Sequence, residues 1–131
     1  MDYLKGVWNG LFNKKTPEQK ISKVRWSDVV DILVIYNVYH ESMHHETCGQ
    51  TISDPYKQME INSNFDMETR RRTVIHEYLH ALSSEMNLGL KEKDVLYLED
   101  KFYKRVYPEE KSRPLKDVLD DLDMSDLYEG Q

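Results

Sequence analysis

The stretch Thr73-Val74-Ile75-His76-Glu77-Tyr78-Leu79-His80-Ala81-Leu82 constrains this chain more than any other. His76 and His80 stand four apart, so a helix puts both imidazoles on one face about a turn apart, where two nitrogens can grip one zinc ion. The flanking Val74, Ile75, Leu79, Ala81 and Leu82 are apolar, which suits a helix buried in a domain core. Glu77 follows the first histidine and reaches a metal-bound water without ligating. Zinc lowers the pKa of such a water from about 15.7 towards ~7, and the carboxylate takes its proton.

A hydrolytic zinc site also needs a third protein ligand and an open fourth position. Beyond the motif the chain turns at Asn87-Leu88-Gly89 and returns as a second helix, predicted from about Glu92 to Val106 and stopped by Pro108. In an antiparallel hairpin turning near position 89, the residue level with His80 lies near 98. Glu99 is there, on a stripe with Val95, Phe102 and Val106. A carboxylate on an apolar stripe is expensive to bury without a cation, and a metal is such a cation. Glu99 is therefore the expected third ligand, with Asp100, Asp94 and Glu92 as alternatives. Glu92 sits near the helix start, where a carboxylate also favours the helix dipole.

The remaining organisation follows from pattern and charge. With 131 residues the chain has room for one domain. Tyr3, Leu4, Val7, Trp8, Leu11 and Phe12 form one apolar stripe of an amphipathic helix, with Lys5, Asn9, Asn13 and Lys14 away from it. Gly6 and Gly10 weaken that helix alone, so it needs something to pack on. Thr16-Pro17 marks a new helix start, and Ser27 to Tyr36 reads as a short buried helix. Val38 to Asn62 reads as strands, with a turn at Asp54-Pro55 and alternation at Gln58 to Asn62. A long helix is predicted from Asp66 to about Asn87. The domain division expected is 1–26 for the N-terminal helix and connector, 27–111 for the metal-binding body and 112–131 for a tail.

That tail is acidic. Residues 117–131 hold six acidic side chains and no Lys or Arg, which leaves 18 of each sign in 1–116 and places the whole net charge of −6 in the tail. A neutral body with an acidic end is not a general nucleic-acid binder. No apolar run approaches the ~20 residues of a membrane span. The single cysteine, Cys48, excludes an internal disulfide. The start lacks the basic head and apolar run of a secretion leader, so a cytoplasmic protein is expected.

His76-Glu77-Tyr78-Leu79-His80, followed after 18 residues by Glu99, resembles the zincin metallopeptidases in their gluzincin arrangement. The stretch 49–98, with its Gly-Gln-Thr strand, second strand, Arg-rich lead-in and metal helix, is similar to the small ImmA/IrrE-like and phage-encoded zincins. The resemblance implies an α+β fold, a minimal domain with a small antiparallel sheet packed on the metal helix and a second, Glu-bearing helix. It implies a zinc peptidase acting on a peptide or protein substrate of narrow range in a bacterial or phage-infected cell. The edge strand, Met59 to Asn62 in this reading, would bind an extended peptide. The competing class is a regulatory interaction module that keeps the metal helix for structure and meets a protein partner through its N-terminal helix or acidic tail. An intact Glu77 favours the enzyme.

Three other features compete for a role. His40-Glu41-Ser42-Met43-His44, followed by His45, repeats the motif, but on a strand His40 and His44 lie about 13 Å apart, too far for one zinc. They read as polar loop or strand residues. Arg70-Arg71-Arg72 reads as a solvated face paired with Asp66, Glu68 and the tail. Tyr97, Tyr103 and Tyr107 are candidate oxyanion donors, with packing the plainer role.

Overall fold

A computed structural model describes residues 15–44, 46–108 and 114–120. The N-terminal stripe of residues 3–12, His45 and the acidic residues beyond 120 lie outside this part. The fold is α+β, as expected. In chain order the elements are α1 (Pro17–Lys20), α2 (Trp26–Ile35), β1 (Asn37–Glu41), β2 (Gly49–Ile52), β3 (Gln58–Asn62), α3 (Met67–Met86) and α4 (Glu92–Val106). Residues 115–120 are helical as well. No helix among the described residues is long and apolar enough to cross a membrane.

Local chemistry accounts for the helix limits. Thr16 caps α1, accepting from the Gln19 amide at 3.2 Å while the Gln19 side chain accepts from the Thr16 amide at 2.8 Å. Asp66 accepts from the Thr69 amide at 2.8 Å and starts α3. Asn87, left-handed at φ 53°, ends α3.

The sheet order is β1-β3-β2. β2 runs antiparallel to β3 with Thr51 opposite Met59, but β1 runs parallel to β3 with Tyr39 opposite Glu60. The sheet is thus mixed rather than wholly antiparallel. The segment expected at the edge, Met59 to Asn62, is instead the centre of the sheet. Its burial fits the position: Met59, Ile61 and Asn62 are all inaccessible to solvent. Asn62 earns its place with hydrogen bonds. Its Nδ2 donates to the carbonyls of His44 at 2.9 Å and Thr47 at 2.6 Å, which folds the loop before β2 onto the sheet.

Three apolar clusters hold the layers together. Ile32, Tyr36, Met59, Ala81 and Leu82 join α2 and the sheet to α3. Leu79, Val95 and Leu98 join α3 to α4. Cys48, Leu115 and Val118 bring residues 115–120 against the start of β2. Each fully buried aliphatic side chain contributes roughly 1.5–3 kcal/mol. The start of the acidic tail is therefore part of the packed body.

Candidate metal centre

α3 presents His76 and His80 on the face turned away from the Leu79 and Leu82 core. Their Nε2 atoms lie 3.2 Å apart. The third member of the group is Glu92, in the first turn of α4. Its Oε1 is 2.8 Å from His76 Nε2 and its Oε2 is 2.8 Å from His80 Nε2. The three ligand atoms lie within 4.8 Å of one another. The group is closed on one side and open on the other, with side-chain exposures of 8% at His76 and 56% at Glu92.

Glu99, the third ligand expected from the hairpin, is elsewhere. It is fully buried, with Oε1 3.0 Å from Arg72 Nη1. The path of the linker causes the difference. After Asn87 the chain runs back beside α3 without helical turns: the Leu88 amide donates to the Ser83 carbonyl at 3.0 Å and the Leu90 amide to Ser83 Oγ at 3.0 Å. Extended chain covers about 3.3 Å per residue against 1.5 Å in a helix. α4 therefore begins level with the histidines, and Glu99, about two turns further on, lands beside Arg72. Asp100 is on Arg72 too, at 3.1 Å, and Asp94 takes Lys20 at 2.7 Å.

Glu77 is buried beside the group, and its Oε1 accepts from Thr51 Oγ1 at 3.1 Å. The same hydroxyl lies 3.1 Å from the Glu77 carbonyl, tying the edge strand β2 to the motif. Thr51 has no distinguishing signal in the sequence beyond its place in a short strand. Gly49 makes this approach possible. A Cβ there would sit 2.6 Å from Thr73 Cγ2 and 2.8 Å from the Glu60 carbonyl oxygen, so only glycine lets β2 lie this close to α3.

The electrostatics follow from these positions. Burial raises the Glu77 carboxyl above its ordinary range, with His76 and His80 opposing. Hydrogen bonds from the two imidazoles hold Glu92 well below the usual carboxylate range. The Glu92 carboxylate in turn raises His80. Two imidazole nitrogens and one carboxylate oxygen are the donors zinc takes in open, three-ligand sites. The group opens into a cleft of about 530 Å³. Thr51, Glu77, Leu115 and Leu119 are among the residues that line it.

The other sequence candidates lie apart from this group. His40 Nδ1 is 2.8 Å from Arg70 Nη2, and His44 Nδ1 is 3.8 Å from Glu46. Tyr97 donates to Glu18 at 2.6 Å. Tyr103 is buried beneath the Arg72 guanidinium, 4.2 Å from the ring centroid, and Tyr107 packs on Tyr103. Arg71 lies over Tyr107 at 5.1 Å. The three arginines are thus engaged with the body, and Arg72 is wholly buried.

No family model, curated protein or solved structure matches this chain.

Proposed function

We propose that this chain is a zinc-dependent peptidase in which His76, His80 and Glu92 hold the metal and Glu77 is the general base. One observation carries the reading: two histidines and a carboxylate converge on one point, with a buried, non-ligating carboxylate beside them and an open cleft in front. A purely structural site is closed and has no use for Glu77. A zinc ion held by these three residues would act as a Lewis acid, acidifying the attacking water and polarising the substrate carbonyl. Glu77 takes the proton of the attacking water and delivers it to the departing amine nitrogen. Thr51 Oγ1, 3.1 Å from Glu77 Oε1, fixes the carboxylate's direction.

The substrate is an extended peptide lying along β2. This strand is an edge of the sheet and flanks the cleft. Main-chain hydrogen bonds to such an edge bind a peptide without regard to side chains. Leu115 and Leu119 line the same cleft, and their bulk favours a narrow range of protein substrates. The test is hydrolysis of an unfolded protein by zinc-loaded wild type and by Glu77→Gln. A loss of about 100-fold or more with metal retained supports the peptidase. Zinc held at full occupancy with no hydrolysis by the wild type, over a broad panel of peptides, would favour the interaction module instead.

A further inference from the structure

The sheet has a second edge, β1, and its hydrogen bonds run to one side only. In a parallel pair the bonding residues alternate along each strand. The Asn37 amide donates to the Lys57 carbonyl at 3.2 Å, and the Glu41 carbonyl accepts from the Ser63 amide at 2.8 Å. With Tyr39 opposite Glu60, this phase turns the amides and carbonyls of Asn37, Tyr39 and Glu41 towards β3. Val38 and His40 therefore aim theirs outward, where no strand pairs with them among the described residues. Nothing in the strand itself blunts this edge. Edge strands commonly carry a proline, a lysine or a bulge against pairing with another chain. Asn37-Val38-Tyr39-His40-Glu41 has neither proline nor lysine, and its register on β3 is unbroken over all five residues. Val38 and Tyr39 are 44% and 47% exposed.

We propose that β1 pairs antiparallel with β1 of a second copy of this chain, about a two-fold axis at Tyr39. The phase of the main chain selects this register. With Tyr39 opposite Tyr39, Val38 of each copy faces His40 of the other as a bonded pair, and every outward amide finds a carbonyl. Sliding the pair either way sets Val38 or His40 opposite a residue outside the strand. The side chains accept the register too. Glu41 meets Asn37 and Val38 meets His40, so no like charges stand directly opposite. Val38 also lines an apolar groove of about 450 Å³ with Leu33 and Val74, which extends the apolar surface beyond the strand. Strand and adjoining side chains cover on the order of 500 Å² per copy, near the lower limit for specific association, so the dimer is weak and reversible. The edge beside the metal centre, β2, stays free, and the pairing stands whether or not that centre hydrolyses peptides.

A cysteine at the axis tests this in the full chain. Opposed residues of a non-bonded antiparallel pair have Cα atoms ~4.5 Å apart, within disulfide range, whereas the two residues at position 41 would lie roughly 14 Å apart. Cys48, the one native cysteine, is buried. Under mild oxidation with copper-phenanthroline, Tyr39→Cys should run mostly as a linked dimer on a non-reducing gel, and Glu41→Cys mostly as monomer. Val38→Pro removes an outward amide that the monomer does not use. It should weaken the dimer about tenfold or more in sedimentation equilibrium, through the main-chain bonds lost, with the circular dichroism of the wild type. If Val38→Pro fails to fold, the two cysteine variants decide alone. A wild type at monomer mass up to about 1 mM overturns the proposal and leaves the edge to a different chain. Equal cross-linking at positions 39 and 41 overturns it as random collision. A dimer that persists in folded Val38→Pro overturns it too, by placing the second copy on another face.

Discussion

Arg72 and Glu99 form a fully buried ion pair, Nη1 to Oε1 at 3.0 Å, where α3 crosses α4. Arg72 also reaches Asp100 at 3.1 Å, so its charge is met without Glu99 alone. Burial pushes the Glu99 carboxyl up to about 7, against the pull of Arg72. A raised folded-state pKa means stability that is complete below the ordinary value of 4.5 and lost as pH rises through about 7. Relative to Glu99→Gln, the metal-free wild type should therefore lose on the order of 3 kcal/mol between pH 4.5 and 8. Urea unfolding of both proteins across that range measures it. A difference that stays flat, or grows in favour of the wild type, contradicts the assignment.

Gly49 is the second test. A methyl group there meets Thr73 Cγ2 at 2.6 Å and the Glu60 carbonyl at 2.8 Å. Gly49→Ala should cost about 1–3 kcal/mol through overpacking and pull Thr51 away from Glu77. Adding Thr73→Ser removes one clash and leaves the backbone one, so thermal melting should show partial recovery only. A Gly49→Ala protein as stable as the wild type would show that β2 does not lie against α3 this closely.

Much of this architecture can be read from the residues, for identifiable reasons. Helix limits follow from local chemistry, such as the Asp66 cap and the Asn87 to Gly89 stop, and need no knowledge of the rest of the fold. The pairing of His76 with His80 follows from helical spacing alone. The third ligand does not. Glu92 and Glu99 are both reachable on paper, and the choice depends on the path of residues 87–91, which the Ser83 contacts decide. Sheet order is illegible for a similar reason. The alternation at Gln58 to Asn62 marks a strand, but it does not say whether both of its edges are paired.

Cys48 offers a check on the packing of residues 115–120. It is buried against Leu115 and Val118, and burial pushes its thiol up to about 11. Since the thiolate is the reactive form, alkylation by iodoacetamide near pH 8 should be far slower in the folded protein than in urea. Leu115→Asp should open the site and speed it. Equal rates for folded and unfolded wild type would mean that the segment does not cover this face.

Zinc stoichiometry in four proteins separates Glu92 from Glu99 as the third ligand: the wild type, His80→Ala, Glu92→Ala and Glu99→Gln. One zinc per chain is expected in the wild type and in Glu99→Gln, and sharply weakened binding in His80→Ala and Glu92→Ala, as measured by metal analysis after dialysis against a weak chelator. Zinc retained by Glu92→Ala but lost from Glu99→Gln would contradict that expectation, returning the third ligand to Glu99 and overturning the register of α4 on α3.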